Sequence, residues 1–362
     1  MIPAHVLIAG NMGYVGPAVV RQLRATFPKA HLTGLDTGYF AHCLTGARTL
    51  PENRLDTQRF LDVRSITSEV LEGVDAVVNL AAISNDPMGK AFEDATHSIN
   101  YEAGIRLATL AKSAGVRSFV FASSCSVYGF ADGGPRRESD PLNPLTAYAR
   151  SKVASEVALG ELADAHFCVT SLRFPTACGM SDRLRLDLVL NDFVASAVAT
   201  GRIDILSDGS PWRPLIDTRD MALAIEWALQ REPGNGGKSV EINVGVNGRN
   251  YRVKEIAEAV AATLPRTEIR INPQAAPDRR SYQVDFSAYA ALAPHHLPKY
   301  DLTASIEALA DGLMAMKFCD ADFRKSQFVR LCVLERLKEC GMLSERLEWT
   351  HSDNARARAE RR

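Results

Sequence analysis

The chain has 362 residues, is 46% hydrophobic and 23% charged, and carries a formal net charge of −1. That length supports one large domain or two coupled ones around a sizeable core. Near-neutral charge gives no steering toward nucleic acid or an anionic membrane, and the longest apolar runs, such as residues 75–83, are too short to span a bilayer. Residues 1–5 lack the charged and apolar regions of a secretion signal, so none is expected. Seven cysteines, at 43, 125, 168, 178, 319, 332 and 340, form no Cys-x-x-Cys pair. An odd, scattered set reads as reduced thiols in a cytoplasmic protein. His295 and His296 are adjacent, so their side chains diverge, and no metal site is expected.

Short runs rich in Val, Ile and Phe alternate with helical patterns up to about residue 180. Residues 6–9 read as a strand, 15–26 as a helix, and 31–35, 75–80 and 118–122 as further strands. Residues 168–173 read as the strand after a helix that starts near Tyr148. Apolar strands alternating with helices predict an α/β fold: a Rossmann-type, doubly wound parallel sheet covered on both faces, over residues 1–180. Residues 181–318 have longer loops and fewer strands (203–206 and 240–244) around a helix at 253–263. They read as a smaller mixed α/β substrate-binding lobe that exchanges segments with the first. Residues 319–350 form a helical extension, in which 321–342 place Val329, Cys332, Val333, Leu337 and Cys340 on one helix face. The polar, Arg-rich residues 351–362 read as a frayed tail.

The first strand ends at Gly10, and Gly13 and Gly16 follow before the first helix. One glycine makes the tight turn, one admits a pyrophosphate to the backbone, and one lets the helix pack closely. The amides at Tyr14, Val15 and Gly16 then face the phosphates at a helix N-terminus. Asp36 ends the second strand, about 20 residues on. An acid there accepts hydrogen bonds from ribose hydroxyls and repels a 2′-phosphate, so the expected cofactor is NAD rather than NADP. Asp62 and Val63 follow the third strand, where an acid meets the adenine amino group.

Further motifs come in order: Asn79-Leu80-Ala81-Ala82 after the fourth strand, Ile99-Asn100 opening a helix, Ser123-Ser124-Cys125-Ser126 after the fifth strand, and Tyr148-x-x-x-Lys152. Together with the glycine loop they resemble the extended short-chain dehydrogenase/reductases, whose nucleotide-sugar members include 4-epimerases, 4,6-dehydratases and decarboxylases. The resemblance covers residues 5–315. Tyr148 and Lys152 lie one helical turn apart on one face. A free phenol titrates near about 10; the Lys152 ammonium and a positive nicotinamide ring would lower that value and let Tyr148 take a sugar hydroxyl proton. The resemblance further implies that Ser124 binds the reacting oxygen. It has Asn100 support the lysine through backbone and water, Leu80, Ala81 and Ala82 line the cofactor site, and Pro175 meet the nicotinamide carboxamide.

For the substrate, the resemblance implies a nucleotide-linked sugar. Ser84 sits at the sugar rim with Asn85 and Asp86, and Ser126 and Thr176 lie in the sugar pocket; Thr176 replaces an Asn common in the family. The stretch from Arg183 to Asn191 lines the nucleotide pocket, Arg213 pairs with the diphosphate, and Asp278 and Arg280 lie near the nucleotide. Asp220 more simply fixes the next helix. A homodimer is implied through the helices after Asn100 and from Tyr148, where Val153, Val157 and Leu159 serve either an interface or the core. The reaction follows from the positions after Ser124. Dehydratases carry an Asp-Glu pair there; Cys125 and Ser126 supply no carboxyl group, which favours an NAD-dependent epimerase acting at C4. A catalytic Cys125 thiol, a 4-keto-sugar reductase or dehydrogenase, a 4,6-dehydratase and a non-catalytic NAD-binding protein stand as alternatives.

Overall fold

The computed structural model describes residues 2–131, 133–272 and 281–350. The first half alternates strands and helices: β1 (His5–Ala9), α1 (Gly16–Thr26), β2 (His31–Asp36), β3 (Thr57–Phe60) and β4 (Ala76–Asn79). Short helices α2 (Asp86–Ala91) and α3 (Glu93–Thr96) run into a π-helical turn at His97–Glu102 and then α4 (Ala103–Ser113). β5 (Ser118–Ser124), α5 (Ala147–Leu162) and β6 (Cys168–Phe174) complete this half. The remainder holds β7 (Thr176–Cys178), α6 (Val189–Thr200), β8 (Arg202–Ile205), β9 (Trp212–Asp217), α7 (Thr218–Gln230), β10 (Ser239–Asn243) and β11 (Asn250–Arg252). After these come α8 (Val253–Thr263), β12 (Glu268–Ile271), α9 (Ser287–Leu292), α10 (Leu302–Ala315) and α11 (Arg330–Glu339).

Seven strands form one parallel sheet in the order β10-β6-β5-β4-β1-β2-β3. The order reverses at β1, so the crevice at the strand ends opens between β1 and β4. β1 and β4 are buried along nearly their whole length and β6 entirely, which is why their sequences read as continuous apolar runs. One core layer packs α4 against the sheet around Leu107, Phe119, Phe121 and Phe167. The other packs α1 and α7 around Val19, Leu23, Ile225 and Trp227. β10 and α7 come from beyond residue 180 yet belong to this sheet and its layers. A separate core, around Leu190, Ile203, Ile256 and Leu309, joins α6, α8 and α10.

Asp217 caps α7 through the Arg219 amide, 2.9 Å away. Asp220 instead ties down the amides of Lys299 and Tyr300, at 2.7 and 3.0 Å. The C-terminal helix departs from the sequence reading. It begins at Arg330, not near 321, and buries Val333, Leu334 and Leu337, while Cys340 is exposed. The residues ahead of it turn back on α6, with Arg324 paired to Asp192 at 2.7 Å, so they do not continue the helix.

Candidate active site

The crevice at the strand ends is one cavity of about 970 Å³. Its floor is the glycine turn. Gly10 has φ +82°, and a Cβ there would lie 2.6 Å from the Ala81 nitrogen. A Cβ at Gly16 would lie 1.9 Å from the Asn11 carbonyl oxygen. Both positions therefore admit only glycine. Gly13 lines the cavity, so its missing side chain leaves space at the floor. α1 starts at this point with no capping side chain and no acid in its first turn. Its free amides and positive end suit a phosphate.

Asp36 lies at the cavity wall, its carboxylate held by the Gly38 amide at 2.8 Å and the Met12 amide at 3.0 Å. Burial pushes its pKa up, and those two amides oppose the rise. Each oxygen keeps lone-pair capacity for a ribose hydroxyl. Asp62 accepts from Arg64 at 2.6 Å and faces the same wall with Val63. Tyr14, Val15, Leu80, Ala81, Ala82 and Pro175 also line it. A glycine cradle, an uncapped helix end and a fixed acid fit a dinucleotide without a 2′-phosphate.

The deeper end holds the proposed chemistry. Tyr148, Lys152 and Ser124 all line the cavity, and the Ser124 side chain acts on the Tyr148 phenol. Lys152 Nζ donates to the Ala122 carbonyl at 2.6 Å and stands 5.6 Å from the Tyr148 ring centroid. The protein's own groups do not lower the phenol as the sequence suggested. Burial pushes Tyr148 up to about 12, with the Ser124 side chain opposing the rise. Burial pulls Lys152 down to about 7, opposed by Glu156 one turn along α5.

That depression has a thermodynamic consequence. The unfolded chain holds the lysine proton up to about pH 10, whereas the folded protein releases it near 7. Unfolding therefore takes up a proton between these values, and Lys152 makes stability rise with pH across that window. Lys152→Met is expected to stabilise the protein by roughly 4–5 kcal/mol at pH 6, the gain vanishing by about pH 10. Urea denaturation at several pH values reads this directly, and a gain independent of pH would contradict it.

Asn100 braces the segment of α5 around Lys152. It lies in the π-helical turn, a feature common at functional sites. Its side chain brackets Ile83, accepting from the amide at 2.8 Å and donating to the carbonyl at 3.1 Å. It also donates to Ser151 at 3.1 Å, while its carbonyl accepts from Ser155 at 3.3 Å. Both serines flank Lys152 on α5.

At the rim, Arg185 forms a bidentate pair with Asp187, at 2.9 and 2.8 Å, and donates to Ser84 at 2.8 Å. Asn85 donates to the same Asp187 at 2.8 Å. Asn85 has φ +98° and ψ 161°, a region that a side chain strains. Ser126, Thr176 and Arg213 line the cavity. The Ser126 hydroxyl is buried without a hydrogen-bond partner among the described residues, which suits a contact with a ligand.

Asn191 is a correction. It is fully buried and its side chain is satisfied by the Gly179 amide (3.1 Å), the Tyr14 hydroxyl (2.9 Å) and the Arg185 carbonyl (2.8 Å). It braces the wall and does not line the cavity. Arg183 likewise turns to Glu52 at 2.7 Å. Cys125 is wholly buried, its thiol donating to the Arg173 carbonyl at 3.1 Å. Burial pushes that thiol well up, so it fills space and offers no acid or base to the cavity. Asp278 and Arg280 lie outside the described residues. Sequence reasoning missed Tyr39, Phe40, Val329, Arg330 and Leu331, all of which line the cavity. No motif marks them; the amphipathic pattern of the extension was the only signal.

Residues 6–245 match the NAD dependent epimerase/dehydratase family. Among curated proteins, the low-salt glycan biosynthesis protein Agl12 of Haloferax volcanii is 26% identical over 310 residues, covering 84% of this chain and 97% of its own. The UDP-glucose 4-epimerase of Streptomyces lividans is 29% identical over 273 residues, covering 70% and 79%. Among solved structures, the UDP-glucose-4-epimerase from Stenotrophomonas maltophila, crystallised with NAD and formylated UDP-arabinopyranose, superposes with a TM-score of 0.75 at 22% identity. That match covers 87% of this chain and 99% of the other. With the glycine cradle, the Tyr148–Lys152 pair and the sheet order already in place, the match over most of the chain means that this protein belongs to the NAD dependent epimerase/dehydratase family.

Proposed function

We propose that the protein epimerises a nucleotide-linked sugar at C4. One observation carries the choice of reaction: at the two positions after Ser124 the protein offers the Ser126 hydroxyl at the cavity wall and the Cys125 thiol buried in the core, neither of them a carboxyl group, and Asp86, the carboxylate that acts on Tyr148, is engaged by the Thr146 hydroxyl at 2.8 Å. Elimination of water needs a further acid and base at that place; epimerisation at C4 needs only one proton-transferring group and room for the sugar to turn. Bound NAD supplies a hydride acceptor and donor at the sugar carbon. Tyr148 takes the hydroxyl proton and returns it, Ser124 holds the sugar oxygen, and Lys152 orients the cofactor ribose. Arg213 meets the diphosphate, with Ser84, Ser126 and Thr176 around the sugar. The similar 4-epimerases support this reading.

The proposal extends to a two-fold dimer, supported by Val157, which is 61% exposed on α5; Leu159 is buried in the core and Val153 packs inward. A reducing, cytoplasmic setting is supported by seven free cysteines. Among the described residues no helix is long and apolar enough to cross a membrane.

Incubation with UDP-, GDP-, TDP- and CDP-linked hexoses and uronic acids, followed by proton NMR, tests the reaction. The expected product is inverted at C4, with no net NADH at 340 nm. Stoichiometric NADH, or turnover only on a keto sugar with added reduced cofactor, would replace epimerase by dehydrogenase or reductase.

A further inference from the structure

Three buried arginines gather where the C-terminal segment meets the body. Arg183 pairs with Glu52 and Arg185 with Asp187. Arg330, only 1% exposed, has no carboxylate at ion-pair distance among the described residues. Its guanidinium donates to three carbonyls, of Gln327 at 2.9 Å, Arg183 at 2.8 Å and Leu184 at 3.2 Å. Its Nε is buried without a partner, and its guanidinium carbon stands 4.9 Å from the Phe40 ring centroid. Burial pulls this arginine down to about 10, the direction expected of a buried cation that lacks a close anion.

Arg330 lines the cavity together with Val329 and Leu331. These residues are also the start of α11, a helix whose N-cap, Val329, provides no capping side chain. A positive helix end and an under-neutralised buried guanidinium thus belong to residues that line the same cavity as the uncapped end of α1. The segment is fixed beside Asp36. Trp349 Nε1 donates to the Thr37 carbonyl at 2.7 Å, the Tyr39 hydroxyl donates to the Leu347 carbonyl, and Arg64 donates to the Arg346 carbonyl at 2.7 Å. Leu334, Leu337, Leu343 and Leu347 join the main core. The segment's own residues, 323–349, lie beyond the family match, which ends at 245.

We propose that residues 323–349 are a built-in wall of the dinucleotide site. Arg330 and the first turn of α11 face a phosphate of bound NAD, and the Trp349 and Leu347 contacts hold the wall closed, so that NAD is retained through successive turnovers. The inference rests on the family's NAD dependence and not on which carbon is epimerised. A reaction with no net redox change needs no cofactor exchange, so slow release carries no kinetic penalty.

The test compares full-length wild type with Arg330→Met, Arg330→Lys and Trp349→Ala. Each is stripped and titrated with NAD, and each loaded protein is followed for NAD release with a coupling dehydrogenase. Wild type is expected to keep its NAD through gel filtration. Arg330→Met should weaken NAD binding by roughly tenfold or more and also lower the melting temperature of the stripped protein, because three carbonyls lose their donor, and Arg330→Lys should recover much of the affinity. Trp349→Ala should speed release by about tenfold or more. Wild-type affinity and release in Arg330→Met and Trp349→Ala would overturn the proposal, as would a lowered melting temperature with unchanged NAD affinity. Titration with UDP separates the phosphate sources: loss of UDP binding alone would assign Arg330 to the substrate and overturn the NAD assignment. Where a variant fails to fold, amide exchange on wild type decides, since NAD should slow exchange across residues 329–349 and equal exchange would refute the wall. A wild type that binds no NAD would defeat the cofactor reading itself.

Discussion

Tyr148→Phe should lower turnover by roughly 10³-fold while leaving NAD affinity and melting temperature near wild type. The substitution removes one oxygen from a ring whose position is set by α5 and not by that oxygen. The first turn of α5 is held by Thr146, whose hydroxyl accepts from the Ala149 amide at 3.1 Å and donates to Asp86 at 2.8 Å. What is lost is the group that carries the proton. Ser124 keeps its hydrogen bond from the Ser126 amide at 3.1 Å, so the sugar oxygen still meets a hydroxyl, but no base replaces the phenol. Rates from sugar-ring proton NMR, with NAD titration alongside, give the two readouts. Turnover within tenfold of wild type would mean that another group moves the proton and that the site is misassigned. Because burial alone leaves Tyr148 at about 12, the ionisation that the reaction needs must come from charges that arrive with the ligands. Activity in Tyr148→Phe should therefore not be rescued by raising pH.

Much of this site was legible in the sequence because it is written in backbone terms. Gly10 and Gly16 are demanded by close approach of main chain, and Asp36 by the end of a strand. A Tyr-x-x-x-Lys spacing places two side chains on one helical face whatever the neighbours are. Such constraints are local and survive without a structure. Asn191 was misplaced because an amide buried among three partners and an amide facing a ligand look alike in sequence. Cys125 stayed open for a similar reason: the strand end turns at Ser124, and that turn alone decides whether the next side chain enters the cavity or the core. The wall built from Arg330 and Trp349 was hidden more deeply. Their contacts with Phe40 and Thr37 span about three hundred positions, and no local pattern encodes them.

The buried pair of Arg173 and Glu156 shows how the scaffold and the chemistry are coupled. Arg173 on β6 grips Glu156 on α5 at 2.7, 3.0 and 3.2 Å, and both side chains are about 95% buried, at 5% and 4% exposure. Ser123 donates to the same carboxylate at 2.5 Å, and Arg173 donates to the Tyr128 hydroxyl at 3.0 Å. The pair locks α5 to the sheet one turn beyond Lys152. Arg173→Met strands a buried carboxylate and is expected to cost about 3–5 kcal/mol, seen as a fall in melting temperature on the order of 5–10 °C. The double variant Arg173→Met/Glu156→Met removes both charges and their desolvation together, so most of the loss should return. A double variant as unstable as the single would show that the network of hydroxyls, not charge balance, holds this junction. Recovery of stability should not bring recovery of activity. Glu156 is the group that opposes the burial of Lys152, and without it the lysine falls further below about 7 and is neutral over more of the pH range. The limb of the pH–rate profile that requires the ammonium should then move to lower pH in the double variant, although its fold is restored.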